Sequence, residues 1–231
     1  MIAVGCPVRN RAWVLPEYLQ ALNDIKHDAL QFLFLVNNST DATEMVLHKW
    51  MSERSDGRYA NIYRHDEMNP VGHARGEYGR DRYANLASVR NRFVDLFLTT
   101  EAQYLLSVDS DVIVPPDIIT HLLRLADART IVGAAISNIQ CCELDGKLPG
   151  NFMTHQNGVL VHPPEYPLSG SMAVDVTGAC VLIPRAILAA GARYAAHPQG
   201  EDIPFCATAT ALGASIVVTF DVRPHHRMVA L

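Results

Sequence analysis

The sequence lacks several features that would place it in a common functional class. No block of Lys and Arg stands out among its 231 residues, and the formal net charge is −5. Proteins that bind nucleic acid by neutralising phosphates usually carry a basic stripe. No apolar run reaches the roughly 18 residues that a membrane-spanning helix needs. The chain starts directly with a strand-like segment, without the charged region that opens a signal peptide. We therefore expect no integral membrane segment and no signal peptide.

The cysteine pattern fits no disulfide framework. There are five cysteines, an odd number, and Cys141 and Cys142 are adjacent, which suits neither an ordinary disulfide nor a zinc site. The other three, Cys6, Cys180 and Cys206, lie in apolar surroundings and are expected to be small core residues. The pattern predicts reduced thiols and a cytoplasmic location.

The common nucleotide-binding and hydrolase motifs are also missing. Neither GxxxxGK[ST] nor GxGxxG occurs in the sequence, so the P-loop and dinucleotide-binding classes lose their usual support. The GxSxG motif of α/β-hydrolases does not occur either. With 49% hydrophobic residues, the composition is that of an ordinary globular protein, and the length fits one domain.

Strand-like and helix-like segments alternate along the chain. This pattern predicts an α/β fold with a mostly parallel central sheet flanked by helices. Apolar runs predict strands at 2–8, 31–36, 59–63, 104–108, 130–135, 174–184 and 215–220. Helical spacing predicts helices at 16–23, 39–53, 83–98, 115–126 and 200–212. The stretches 66–82 and 138–171 show no periodicity and are predicted to be long loops.

Two carboxylates, Asp109 and Asp111, directly follow the apolar strand predicted at 104–108. On an extended backbone they project from the same side, and ligands of open α/β sheets collect at the carboxyl ends of strands. A divalent cation, Mn²⁺ or Mg²⁺, relieves the repulsion between two close carboxylates, and substrate phosphates can complete its shell. An imidazole of His225 or His226 could join that shell. The alternatives are a solvated turn for the aspartates and a surface tail for the histidines.

Three further polar groups are candidates for ligand contacts. The segment 37–41 follows the second predicted strand and could bind a base or ribose, or only cap the next helix. Arg90 has the fork geometry that suits phosphate or carboxylate, or it lies on a solvated helix face. Glu201 and Asp202 open a helix, where the dipole favours an ionised carboxylate. Asp202 is therefore a candidate general base for a hydroxyl, although the pair could simply start the helix.

Taken in order, these segments resemble the glycosyltransferases of the GT-A type, in particular the family 2-like enzymes. Residues 7–10 (PVRN) look like the segment that receives the donor nucleotide. Residues 37–41 (NNSTD) are similar to the family's D-D-x-S-x-D segment, with Asn in place of both leading acids. Residues 90–91 (RN) resemble the R-N pair that precedes the metal motif. Residues 108–112 (VDSDV) resemble the DxD motif, which holds Mn²⁺ or Mg²⁺ against the diphosphate.

The resemblance continues through the second half of the chain. Residues 177–185 (TGACVLIPR) are similar to the family's G-A-x-x-x-x-R-R strand near the acceptor, and residues 201–202 match its E-D pair. His225 or His226 matches a C-terminal histidine linked to the metal. The resemblance implies a single GT-A domain over 1–231, with a half at 1–115 for the nucleotide sugar and metal and an acceptor half at 116–231.

The resemblance also implies roles for individual residues. The Asp of the E-D pair, Asp202, is the usual base in inverting members. The implied donor-binding residues are Pro7, Val8, Arg9, Asn37, Asn38, Ser39, Asp41, Arg90, Asp109 and Ser110; the implied metal ligands are Asp109, Asp111, His225 and His226; and the implied catalytic pair is Asp202 with Glu201.

Several alternatives stay open at this point. A UDP-sugar is the favoured donor, but the stretch 79–116 also looks like the fungal mannan-type transferases, which use GDP-mannose and retain configuration. A nucleotidyltransferase is a rival enzyme class, although residues 7–11 (PVRNR) lack the Gly that its loop usually carries. A sugar- or nucleotide-binding module without chemistry is the non-enzymatic rival. The acceptor could be a small molecule, a protein or a modified nucleic acid.

Overall fold

The computed structural model describes residues 1–66, 80–136 and 150–227. Helices and strands alternate through these residues, as the sequence predicts. The helices are α1 Leu15–Asn23, α2 Thr43–Ser52, α3 Arg80–Leu98, α4 Ile118–Leu123, α5 Arg185–Ala189 and α6 Asp202–Ala211. The strands are β1 Ile2–Val8, β2 Leu30–Val36, β3 Tyr59–Arg64, β4 Tyr104–Val108, β5 Val112–Ile113, β6 Thr130–Ala134, β7 Phe152–Gln156, β8 Val159–Val161, β9 Ser171–Ala173, β10 Val176–Thr177, β11 Cys180–Pro184, β12 Ser215–Thr219 and β13 His225–His226.

The main sheet has the strand order β3-β2-β1-β4-β11-β6-β12-β9. Strands β3, β2, β1 and β4 are parallel to one another, and β6 is parallel to β12. Strand β11 runs antiparallel between β4 and β6, and β9 is antiparallel at the edge. The predicted mostly parallel α/β sheet is therefore confirmed. Because β1, β2 and β4 share a direction, the loops that follow them lie at one edge of the sheet.

Two layers of apolar side chains explain why the inner strands are continuous apolar runs. Alternate residues of β2, such as Phe34, pack in one cluster with residues of α1, α2 and α4. The residues between them, such as Leu33 and Leu35, pack in a second cluster with residues of α3, α5 and α6. A strand covered on both faces therefore has a nearly continuous run of apolar side chains. Burying each of these large side chains stabilises the fold by roughly 1.5–3 kcal/mol.

The strand predicted at 174–184 is divided in two. Ala179 has a φ of 63°, in the left-handed region, which interrupts the extended backbone. Strand β10 lies before this residue and pairs with β7 in a small sheet, whereas β11 lies after it and belongs to the main sheet. The single strand of the sequence prediction is therefore wrong, and the break lies next to the candidate site.

Three other predicted segments differ from the structure. Helix α3 begins at residue 80, inside the predicted loop 66–82, whose residues 67–79 lie outside the described part of the chain. Of the predicted loop 138–171, residues 138–149 lie outside the described part of the chain. The remainder of that loop contains the antiparallel hairpin of β7 and β8. Helix α4 is shorter than predicted, since it begins only after the two prolines at 115 and 116.

The cysteines for which the structure gives positions agree with the prediction. Cys6, Cys180 and Cys206 are buried free thiols, while Cys141 and Cys142 lie outside the described residues. In the described part of the chain, none of the helices combines the length and the apolar character that a membrane span requires.

Candidate active site

The loops after β1 and β2 interlock at the carboxyl edge of the sheet. The Oγ of Ser39 accepts the amide N–H of Asn10 at 3.2 Å. Asp41 accepts the amide of Ala12 through Oδ2 at 3.0 Å and that of Thr43 through Oδ1 at 2.9 Å. Asp41 thus accepts the amide of Thr43, the first residue of α2, and ties the two loops together. Because Ser39 and Asp41 hold the loops in this way, α2 begins at residue 43 and not at the predicted residue 39.

The other predicted donor-binding residues of these loops have different degrees of exposure. The side chain of Val8 is fully buried in the core, and its carbonyl accepts the N–H of Asn37 at 3.1 Å. The side chain of Val8 therefore packs in the core, and the donor contact predicted for this residue stays a prediction. Pro7, Arg9 and Asn37 are half-buried at the edge of the sheet.

Asn38 marks a sharp bend in the loop after β2. Its φ is 44°, in the left-handed region that Asn tolerates better than most residues. Its amide N–H donates to Oδ1 of Asp66 at 3.0 Å. The loop after β2 is thereby joined to the end of β3 as well as to the loop after β1.

A buried arginine joins the two acidic motifs. Arg90, on α3, donates through Nε to Oε1 of Glu201 at 2.7 Å and through Nη2 to Oδ1 of Asp109 at 2.9 Å. Arg90 is 7% exposed and Glu201 is 4% exposed. Burial raises the pKa of the Asp109 carboxyl, and the charge of Arg90 only partly offsets that effect. The solvated helix face considered for Arg90 is wrong, because the guanidinium is enclosed between carboxylates.

The neighbour of Arg90 has a separate structural role. The Nδ2 of Asn91 donates to the carbonyl of Tyr194 at 2.9 Å, and its Oδ1 accepts the amide of the same residue at 2.8 Å. This paired contact fixes α3 against the segment that precedes α6. In the R-N pair, Asn91 thus holds α3 in place, and Arg90 holds the two carboxylates.

Asp111, the second acid of the DxD motif, has a cationic or imidazole partner on each carboxylate oxygen. Nη2 of Arg11 lies 3.0 Å from Oδ2, and Nε2 of His226 lies 3.4 Å from Oδ1. Burial raises the pKa of the Asp111 carboxyl, but His226 and Arg11 outweigh it and hold that pKa below its ordinary value. Between the two acids, Ser110 is buried.

The C-terminal segment is attached so that only one of its two histidines reaches Asp111. Strand β13 pairs antiparallel with β5, and the amide of Arg227 donates to the carbonyl of Asp111 at 2.7 Å. The guanidinium of Arg227 contacts both carboxylate oxygens of Glu17 on α1, at 2.7 to 3.1 Å. Because successive side chains of a strand point to opposite faces, His226 faces Asp111 while His225 is exposed.

The structure brings together part of the predicted metal-ligand set. Asp111 and His226 converge, whereas Asp109 faces Arg90 and His225 faces solvent. Across residues 1–66, 80–136 and 150–227, no group of three or more His, Cys, Asp or Glu side chains could hold a metal ion. The chemistry of one carboxylate and one imidazole still suits Mn²⁺ or Mg²⁺ when substrate oxygens complete the shell. The residues present therefore fit a cation that the protein shares with its ligand.

Asp202 lies at the first turn of α6, directly over a glycine. A Cβ added to Gly178 would lie 2.2 Å from Oδ2 of Asp202, so this position has room only for glycine while the carboxylate stays in place. Burial raises the pKa of Asp202 to about 7, the charge of Arg90 opposes this, and the charges of Glu201 and Asp109 add to it. Asp202 and the DxD motif are therefore within electrostatic reach of each other.

Asn151 holds the backbone beneath that carboxylate. Its Nδ2 donates to the carbonyls of Ala134 at 3.1 Å and Gly178 at 2.7 Å, and its Oδ1 accepts the amide of Ile136 at 3.0 Å. The end of β6 and the segment before β11 are thereby joined through one side chain.

Sequence reasoning missed several of these residues. Arg11 was visible only as the second Arg of PVRNR, and an irregular loop gives no sign of which Arg faces the site. Gly178 lay within the TGA motif, but its close approach to Asp202 had no local signal. The pair of Glu17 and Arg227 joins residues 210 positions apart in the sequence, and no spacing rule reaches that far.

Known proteins are similar to this chain in fold and hardly similar in sequence. No protein-family model matches the chain, and no curated protein matches its sequence. A structure of the S. aureus TarS fragment 1–349 in complex with UDP-GlcNAc has a TM-score of 0.65 at 16% identity, covering 99% of this chain and 59% of that one.

Two further solved structures are similar. The mannosyltransferase PcManGT from Pyrobaculum calidifontis, in complex with GDP-Man and Mn²⁺, has a TM-score of 0.61 at 14% identity, covering 97% of this chain and 56% of that one. GalNAc-T7, with UDP, GalNAc and Mn²⁺, has a TM-score of 0.67 at 11% identity, covering 98% of this chain and 43% of that one. The present chain thus spans about half of each of these two structures. At these identities the likeness establishes the fold alone, and the fold of this chain is the GT-A fold of these glycosyltransferases.

Proposed function

We propose that this chain is a glycosyltransferase that moves a sugar from a nucleoside-diphosphate sugar to a hydroxyl acceptor, using Mn²⁺ or Mg²⁺ and inverting the anomeric configuration. The observation that carries the proposal is the bridge from Asp109 through Arg90 to Glu201. It joins the motif suited to a metal–diphosphate to the motif suited to a base, from elements far apart in the sequence. A solvated turn or a simple helix start needs no such buried link.

The donor class is supported by the ligands of proteins that share the fold. TarS is in complex with UDP-GlcNAc, PcManGT with GDP-Man and Mn²⁺, and GalNAc-T7 with UDP, GalNAc and Mn²⁺. In the present chain, the donor lies at the edge formed by the loops after β1, β2 and β4. We favour a UDP-sugar, with GDP-mannose and a retaining reaction as the alternative.

Asp111 and His226 are the residues that would hold the cation. When bound, a divalent cation neutralises the diphosphate and so stabilises the leaving group. The amide of Arg227 holds the backbone at Asp111, and strand β13 directs the imidazole of His226 toward the same carboxylate. The chain thus orients both ligands through one two-stranded sheet.

Asp202 is proposed as the general base. It removes the proton from the acceptor hydroxyl, whose oxygen then forms a bond to the anomeric carbon as the bond to the diphosphate breaks. A base works best when its pKa lies near the working pH, and burial raises the pKa of Asp202 to about 7. The glycine beneath it leaves the carboxylate room to face the acceptor.

Arg90 and Glu201 are proposed to position the reacting groups. Both are buried and contact each other at 2.7 Å, so Glu201 neutralises Arg90 and Arg90 fixes Asp109. The predicted catalytic role of Glu201 becomes, in this proposal, an indirect one. The acceptor would approach from the side of residues 150–171.

Nucleotide binding is the direct test of the proposal. Calorimetric titration of UDP and of GDP, each with and without Mn²⁺, should give metal-dependent binding of one nucleotide. Asp111→Ala should abolish the metal dependence, and the nucleotide that binds identifies the donor class. Pyrophosphate release from a nucleoside triphosphate would instead favour a nucleotidyltransferase. Absence of binding by both nucleotides would contradict the proposed function.

A further inference from the structure

Arg11 is held against the acid that is proposed to bind the cation. Its Nη2 lies 3.0 Å from Oδ2 of Asp111, and its Nη1 donates to the carbonyls of Arg9 at 3.3 Å and Asn10 at 3.5 Å. The carboxylate of Asp111 is 14% exposed and the side chain of Arg11 is 35% exposed. The ion pair is thus partly shielded from water on the acid's side.

The ion pair leaves the guanidinium incompletely satisfied. Nε of Arg11 is buried without a hydrogen-bond partner among the described residues. The hydrogen bonds from Nη1 of Arg11 to the carbonyls of Arg9 and Asn10 are long. A planar guanidinium has five N–H donors and matches phosphate oxygens in a two-pronged geometry. Arg11 therefore has unused capacity for a second, anionic partner.

The backbone at Arg11 is fixed, so that only the side chain can exchange partners. Its amide donates to Oγ1 of Thr43 at 2.7 Å, and its carbonyl accepts the amides of Val14 and Leu15 at 3.0 Å. This places the base of the side chain at the carboxyl edge of β1, where the proposed donor lies. A cation that binds the carboxylate of Asp111 would therefore compete with Arg11 for Oδ2, while His226 lies beside Oδ1.

We infer that Arg11 is a displaceable counter-ion of Asp111, which gives up the carboxylate to the cation and binds the donor diphosphate. The inference rests on the proposed function and adds a residue that couples cation and nucleotide. The guanidinium of Arg11 and a divalent cation repel each other when both lie close to the carboxylate of Asp111. The diphosphate gives Arg11 a new partner at the moment when the cation takes its old one, so each ligand promotes the binding of the other.

The consequence is measurable without turnover. In the wild type, Mn²⁺ alone must compete with Arg11 and should bind weakly, whereas Mn²⁺ with nucleotide should bind tightly. Arg11→Gln removes the competitor, so Mn²⁺ alone should bind about 5-fold tighter or more. The same change removes a phosphate contact, so the factor by which nucleotide strengthens Mn²⁺ binding should fall.

The experiment measures the Mn²⁺ dissociation constant by electron paramagnetic resonance, with and without the nucleotide that the wild type binds. Lys49→Gln is the matched control, since it removes the same charge from the exposed face of α2 and should leave both constants unchanged. Unchanged or weaker binding of Mn²⁺ alone to Arg11→Gln would overturn the inference. An equal gain in Lys49→Gln would overturn it too, because the effect would then be one of net charge.

Arg11→Lys provides a second route if the first variant does not fold. Lysine keeps a positive charge beside Asp111 but lacks the two-pronged fork, so binding of Mn²⁺ alone should stay close to wild type. The factor by which nucleotide strengthens Mn²⁺ binding should be smaller than in the wild type. An undiminished factor would contradict the proposed contact between Arg11 and the diphosphate. If the wild type binds no nucleotide with Mn²⁺, the proposed function fails first, and that result is distinct from a failure confined to Arg11.

Discussion

Replacing Asp202 with asparagine separates the chemical role of this carboxylate from its effect on stability. Asp202→Asn keeps the size and shape of the side chain but cannot accept the acceptor's proton. We expect sugar transfer to fall by about 10²-fold or more, the usual contribution of a general base. Binding of nucleotide with Mn²⁺ should be retained, because Asp202 belongs to α6 and not to the donor edge.

The same substitution should stabilise the fold at neutral and alkaline pH. The pKa of Asp202 rises from its ordinary value of 3.8 to about 7 in the folded protein. At about 1.36 kcal/mol per pH unit, full ionisation would cost the folded state up to about 4 kcal/mol. A carboxyl with a raised folded pKa contributes its stability below pH 3.8 and loses it as the pH rises through about 7. Asparagine does not ionise, so the variant loses no stability at this position as the pH rises.

The assay is urea unfolding of the wild type and of Asp202→Asn between pH 5 and pH 8. The advantage of the variant should grow by about 1 kcal/mol per pH unit up to about pH 7 and then level off. Asp95→Asn, at an exposed carboxylate that pairs with Arg193 at 3.4 Å, is the control and should change stability by less than about 1 kcal/mol at every pH. A stability difference that does not change with pH, or near-full transfer activity, would refute the reasoning.

Three further predictions concern the support around the site. Gly178→Ala places a methyl group on the carboxylate of Asp202, so kcat should fall by about 10-fold or more with little change in Tm. An unchanged kcat, or a fall in Tm large enough to unfold the variant under the assay conditions, would contradict this. Asn151→Asp removes the donor from two backbone carbonyls, which should cost about 2 kcal/mol or more in urea unfolding; an unchanged midpoint would show that those bonds contribute little. Glu17→Arg and Arg227→Glu should each weaken Mn²⁺ binding, and combining them should restore it. A double variant no better than either single would exclude this pair from positioning the metal site.

The sequence was sufficient to predict the sheet because its central strands are buried on both faces. Every apolar residue of β2 belongs to one of two core clusters, and the demand for apolar side chains appears directly as a run from Phe32 to Val36. The DxD and E-D motifs could likewise be placed at strand and helix ends, since capping and turn chemistry are local. The fold class therefore followed from short-range patterns.

The partners within the site could not be predicted in the same way. Arg90 and Glu201 are 111 residues apart in the sequence, and only the packed fold brings them together. The left-handed backbone at Ala179 also had no residue signal, because glycine or asparagine would be expected there. Similarly, β5 and β13 are two residues long each, which is too short for any periodicity to appear.

The contact between Glu17 and Arg227 also constrains when the site can form during synthesis. Synthesis proceeds from the N-terminal end of a chain, so the residues of β1 to β4 emerge from the ribosome first. The residues of β13, with His226, and the amide of Arg227 emerge after all the other described elements of the fold. A nascent chain would therefore hold Asp111 paired with Arg11 before it could offer a complete site for a cation. Metal and nucleotide should accordingly bind only once residues 226 and 227 have been added, and neither should be needed for the core to fold.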